Sequence, residues 1–155
     1  MRALLKEGGG GEYLRVGLKI GRKEYYPIPI SMFRVPNGAP PGRTSSVKLK
    51  CGAPVCEYQW TGLKGSRVSN LVSSDKYPNH PTKTIALKSG TFSMQMKGDN
   101  IGVMMEGFLQ APKTGYYTFS TKSDDSSQVW VATAANTQDK LILAVFLNGL
   151  SLIHI

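Results

Sequence analysis

The sequence is poor in the residues from which most metal and nucleophilic sites are built: it has two cysteines, two histidines and two tryptophans in 155 residues. A structural zinc site needs about four Cys/His ligands, and His80 and His154 lie far from each other and from the cysteines, so no zinc set is present. Serine, histidine and carboxylate show no nucleophile–base spacing. The acidic doublet Asp124-Asp125 is adjacent in sequence, whereas a glycosidase pair faces across a gap of about 5–9.5 Å. These absences predict a protein that is not an enzyme. No apolar run approaches the ~18 residues of a membrane-spanning helix, and Lys6-Glu7 interrupts Met1-Arg2-Ala3-Leu4-Leu5 before a secretory apolar region can form. Neither a membrane span nor a signal peptide is expected in this fragment. An Asn-x-Ser/Thr glycosylation acceptor is also missing.

Acidic residues are scarce. Nineteen Lys/Arg face ten Asp/Glu, a net charge of +9. Residues 1–50 hold ten of the bases and three of the acids, so the excess belongs to one end. Lys19, Arg22, Lys23, Arg34, Arg43, Lys48 and Lys50 are scattered along strands and a Pro-rich connection, without the aromatic interleaving of a single-strand nucleic-acid binder. The expected reading is a solvated basic segment and no specific nucleic acid. Weak, salt-sensitive attraction to an anionic polysaccharide or membrane is the alternative.

What is present is β pattern. In residues 12–20, Leu14, Val16, Leu18 and Ile20 alternate with Tyr13, Arg15 and Lys19, the period of a half-buried strand. Gly8 to Gly11 precede it as a flexible hairpin turn, with neither a helix pattern nor Lys-Ser/Thr after them to make a phosphate cradle. Residues 35–57 are Pro/Gly/Ser-rich and read as a linker. Within it, Cys51-Gly52-Ala53-Pro54-Val55-Cys56 is a candidate local disulfide, two free thiols being the alternative. Residues 58–85 are turn-rich, with a short apolar patch at 68–72. Phe92, Met94 and Met96 alternate with polar residues, 101–109 reads as an apolar strand, and Pro112-Lys113-Thr114-Gly115 as a turn. Tyr116 to Thr121 and Gln128 to Ala132 are further strands. No helix period holds for two turns. Short strands at spacings of about 8–12 residues predict an all-β, antiparallel, jelly-roll-like sandwich.

The run Gly107-Phe108-Leu109-Gln110-Ala111-Pro112-Lys113-Thr114-Gly115-Tyr116-Tyr117-Thr118-Phe119, continued by Ser123-Asp124-Asp125 and Val129-Trp130-Val131, resembles the heart of a protective-antigen-fourteen domain. Trp60, Gly62, Gly65, Val68, Leu71, Tyr77-Pro78, Pro81 and Asp99-Asn100-Ile101-Gly102 are similar to that family's opening segment. Arg2 to Gly17, followed by Pro27-Ile28-Pro29-Ile30, resembles its closing strands. The resemblance implies the end of one copy at 1–34, the linker at 35–57, and the front of a second copy at 58–149, as in a tandem array. Leu150 to Ile155 resembles the translation of a sequencing adaptor, and it is set outside the fold and the site together with His154. A sandwich missing its closing strands leaves apolar faces and edge groups unpaired. The strand centred on Val16 is therefore expected to join the sheet built from residues 92–132, in permuted order.

The same resemblance implies function. In the lectin branch, the flocculin and GLEYA-type adhesins, the matching acidic pair is joined by a cis peptide and holds calcium that contacts the glycan. Asp124 and Asp125 inherit that role, with calcium as the cofactor and glycans or surface glycoconjugates as partners. Asn136 and Asp139 lie where a further loop ligand could approach. The branch completes its calcium shell from a later loop that this chain lacks, so the alternative is that the carboxylates accept backbone N–H bonds and fix their loop. Trp130 is a candidate sugar-stacking surface, with packing in the sheet as the alternative, and Trp60 is expected to plug the core. The implied protein is an extracellular carbohydrate-binding or adhesion module beside neighbouring copies of itself. The alternative is a structural spacer like the fibrocystin-type modules, with no ligand of its own.

Overall fold

The structure, a computed structural model, describes residues 1–35, 51–131, 142–146 and 151–154. The described residues form strands β1 (Arg2–Glu7), β2 (Gly11–Ile20), β3 (Lys23–Tyr25), β4 (Phe33–Arg34), β5 (Val55–Trp60), β6 (Lys83–Leu87), β7 (Ser93–Lys97), β8 (Ile101–Leu109), β9 (Tyr117–Ser123), β10 (Ser126–Val131), β11 (Ile142–Phe146) and β12 (Ser151–His154), with one short helix, α1 (Val68–Val72). They make two antiparallel sheets. The seven-stranded sheet runs β11-β10-β1-β8-β5-β6, with β4 also on β8. The five-stranded sheet runs β12-β9-β2-β3, with β7 also on β2. The all-β sandwich is the observed fold.

The amino-terminal strands sit in the middle of it. β1 is hydrogen-bonded on both sides, Leu5 opposite Val103 on β8 and Ser127 on β10. β2 pairs with β9 through Val16 and Thr121, and with β7 through Leu14 and Met94. The strand centred on Val16 thus joins the sheet formed by the later residues, as the permuted order requires.

Alternation decides which side chains meet. Ala3, Leu5, Leu14, Val16, Leu18, Val103, Met105, Phe119 and Val129 point between the sheets into the main core, where the rings of Phe33 and Phe92 stack with centroids 5.0 Å apart. Leu4, Cys56, Tyr58, Trp60 and Met104 take the other face of the seven-stranded sheet and form a second core under α1 with Val68 and Leu71. Trp60 is fully buried there, packed on Tyr77 and donating its indole N–H to the Lys76 carbonyl (3.1 Å). Gly102 admits α1 to the sheet, because a Cβ at that position would lie 2.6 Å from Leu71 Cδ1.

Two boundaries differ from those expected. The strand Val55–Trp60 begins inside the segment read as linker, because a strand buried on nearly every residue shows no alternation to read. A Cys51–Cys56 disulfide with Cα atoms 5.8 Å apart closes the turn ahead of it. Residues Ser151–His154, expected outside the fold, run along the otherwise open edge of β9. The remainder of the linker, residues 36–50, lies outside the described residues.

Leu5→Ala removes buried volume at the junction of β1, β8 and β10 and should cost about 2–5 kcal/mol in urea unfolding, whereas Leu5→Met should cost under about 1.5 kcal/mol. A second expectation concerns pH. The Met1 amino group donates to the Gly107 carbonyl (2.8 Å), and burial lowers its pKa from 8.0 to about 6, the charge of Glu106 opposing that fall. The unfolded chain then holds a proton that the folded chain has released. Stability should therefore rise as pH passes from about 6 to 8, and amino-terminal acetylation should flatten that rise in the unfolding midpoint.

Candidate functional site

Three connections cross from one sheet to the other at the same end of the sandwich. Residues 8–10 join β1 to β2, residues 98–100 join β7 to β8, and residues 124–125 join β9 to β10. Register places them side by side: Glu7 is opposite Ile101, Gly11 opposite Lys97, Leu14 opposite Ser123, and Lys6 opposite Ser126. The resulting rim is a glycine turn ringed by carboxylates.

The glycine turn is hydrogen-bonded throughout. Gly8 N–H donates to Asp125 Oδ2 (3.1 Å), Gly9 N–H to Glu7 Oε1 (2.6 Å), and Gly10 N–H to Asp99 Oδ1 (3.3 Å). Gly10 has φ +122°, a conformation L side chains rarely adopt, and a Cβ at Gly8 would lie 3.2 Å from Ser66 Cβ. The turn predicted to be flexible is held on three carboxylates.

The aspartate loop is braced from below. Ser123 Oγ donates to the Asp125 carbonyl (2.7 Å) and lies 2.7 Å from the Ser127 hydroxyl, while Asp124 N–H donates to the Tyr13 carbonyl (3.2 Å). Asp125 is half-buried and Asp124 exposed. Beneath the rim the Lys6 ammonium is fully buried and donates to the carbonyls of Glu7 and Gly65, tying β1 to the connection before α1.

The two aspartates therefore differ in role. Asp125 accepts a backbone N–H and joins the aspartate loop to the glycine turn, and Asp124 presents its carboxylate outward. Among the described residues the cis peptide bonds are Tyr26-Pro27 and Tyr77-Pro78, so Asp124-Asp125 is not joined in the cis form that the lectin resemblance implies. Trp130 is not beside them. It lies about 16 Å from Asp125 along β10 at the usual strand rise, packed against the second core with its indole N–H donating to Gln128 Oε1 (3.3 Å). Asn136 and Asp139 lie outside the described residues.

Carboxylate and carbonyl oxygens suit a hydroxyl-rich ligand or a hard cation. In kind, the oxygens of Asp124 and Asp125 fit calcium. In number they do not complete a shell: among the described residues no group of three or more His, Cys, Asp or Glu side chains could hold a metal ion. Sequence reading missed Glu7 and Asp99 as parts of this rim. The signal was available in the permuted strand order, which brings the β1–β2 turn to the end of β9.

The profile of the PA14 domain family matches residues 56–135, more than half of the chain. The chain belongs to the PA14 domain family. No curated protein and no solved structure matches it. PA14 domains are in general carbohydrate-binding or adhesion-type modules, typically in extracellular or surface proteins. No helix among the described residues is long and apolar enough to cross a membrane.

The division between the aspartates has a measurable consequence. Asp125→Ala should lower stability by about 1 kcal/mol, because the part-buried Gly8 N–H loses its acceptor. Asp124→Ala, at an exposed position, should stay within about 0.5 kcal/mol of the parent. Paired urea titrations check both.

Proposed function

We propose that this PA14 domain is a non-catalytic, extracellular adhesion module that takes a glycan at the rim formed by the glycine turn, Asp99 and the Asp124-Asp125 loop. The observation that carries the reading is the exposure of Asp124 on a loop whose backbone is fixed from beneath by Ser123 and from the side by Asp125 and Gly8. Such a carboxylate is held ready for sugar hydroxyls without further ordering, and ordering is a main cost of binding. Calcium belongs to the same proposal. When bound, it supplies a positive centre that accepts sugar hydroxyl oxygens. Asp124, the loop carbonyls and Asp125 are the groups of this chain that would hold it. Surface glycoconjugates and neighbouring copies in the parent protein are the partners that fit.

The spacer reading has its own support. The carboxylate of Asp125 and the hydroxyl of Ser123 are used in bracing the fold, which a module without a ligand needs equally. A glycan array probed with the full chain separates the two. On the adhesion reading, binding appears with calcium and falls at least about tenfold with chelator or with Asp124→Ala. Binding to nothing, or binding indifferent to both changes, places the spacer reading first.

A further inference from the structure

The basic residues that look scattered in sequence are gathered by the sheet register. On the outer face of the five-stranded sheet, Arg15 of β2 lies directly opposite Lys122 of β9, Lys19 follows four residues along β2, and Lys97 of β7 lies opposite Gly11 toward the rim. All four are exposed. Among the described side chains the acid on this face is Glu24, opposite Lys19 at the β3 edge.

Two features set this face apart from an ordinary solvated sheet. The first is the pairing of Arg15 with Lys122. Directly opposed residues have Cβ atoms about 4.5–5.5 Å apart, and like charges there are destabilising. The second is the aromatic seat beside that pair. Gly17 interrupts β2 in mid-strand, and a Cβ there would lie 2.5 Å from Tyr26 Cδ2 and 2.3 Å from Ser120 Oγ. A strand glycine weakens its strand, and here it lets the Tyr26 ring lie against the sheet while remaining 40% exposed. Tyr13, with the Arg15 guanidinium 5.7 Å from its ring centroid, lies on the other side of Arg15. Burial against the sheet raises the pKa of Tyr26 while the charge of Arg15 pulls it down, so ring and guanidinium are within electrostatic reach.

We propose that this face, centred on Arg15, Lys122 and Tyr26, binds a sulfated glycan chain. A ring lying on the sheet offers a flat surface to a sugar, and the adjacent guanidinium and ammonium meet charged groups on the same or the next sugar. Two cations on directly opposed positions, with Cβ atoms about 5 Å apart, favour a chain with more than one charge per sugar over one carrying a single carboxylate per disaccharide. The proposal rests on the carbohydrate-module reading but uses a surface distinct from the Asp124 rim.

The test uses the full chain and a heparin-derived sulfated hexasaccharide at about physiological ionic strength. Arg15→Ser/Lys122→Ser should weaken binding at least about tenfold and leave the fold as stable as before or more so. The charge-matched Lys64→Ser/Lys83→Ser pair, on exposed positions away from this face, should stay within about twofold. Tyr26→Leu should weaken binding with Arg15 and Lys122 intact, and Asp124→Ala should leave it unchanged. Equal losses in the two double variants would mean diffuse attraction by net charge and overturn the proposal. It would also be overturned by equal affinity for the desulfated chain, or by tighter binding to a short DNA duplex or to anionic phospholipid vesicles. If Arg15→Ser/Lys122→Ser binds the hexasaccharide like the parent while Asp124-dependent array binding persists, this proposal fails and the rim reading stands.

Discussion

Everything in this sandwich leans on the insertion of β1 between β8 and β10. Without it the seven-stranded sheet is two unconnected pieces, and the main core loses Ala3 and Leu5 from its floor. The strand ends on Lys6 and Glu7, both buried. Bringing an ammonium and a carboxylate out of water is costly unless hydrogen bonds replace the lost hydration. Here the Lys6 ammonium has the carbonyls of Glu7 and Gly65, and Glu7 has the Gly9 N–H. A one-residue slip would put Lys6 between the sheets and Leu5 under Gly65, so burial of that charge enforces the register. The same register brings the glycine turn to the aspartate loop, and the rim is a by-product of how β1 is held.

How much of this could be read from sequence depended on whether a strand has one wet face. The strand at 11–20 was visible because Tyr13, Arg15 and Lys19 alternate with Leu14, Val16 and Leu18. The turn at Pro112-Lys113-Thr114-Gly115 was visible from its turn chemistry, and it is stabilised by Tyr117, whose hydroxyl accepts from Lys113 N–H and donates to the Lys113 carbonyl. β5 escaped because it is covered by the main core on one side and by Tyr77, Leu63 and α1 on the other, which erases alternation. β1 carries a lysine and a glutamate into the interior, against every compositional expectation. The acidic doublet was legible as a candidate, but the unequal roles of Asp124 and Asp125 were not, because the partner that separates them is a backbone N–H more than a hundred residues away.

The rim and the basic sheet face divide the surface by chemistry. One offers carboxylates at the end of the sandwich; the other offers guanidinium, ammonium and phenol on its flank. Both depend on β2, whose first residues line the rim and whose middle carries Arg15 and Gly17. A change in β2 that shifts its pairing with β9 would disturb both, whereas changes in α1 reach the rim through β1 and through the Val68 N–H that donates to Ser126 Oγ.

The order of the strands also dictates an order of events during synthesis. Arg2 is translated 104 residues before Glu106, its ion-pair partner, so β1 leaves the ribosome long before its neighbours β8 and β10 exist. Sheets dominated by such distant pairings form slowly, and an apolar strand awaiting its place is open to any compatible edge nearby. In a protein carrying several such modules in a row, the nearest edge belongs to the module made just before. Fidelity in assembling the array is then a question of timing as much as of affinity.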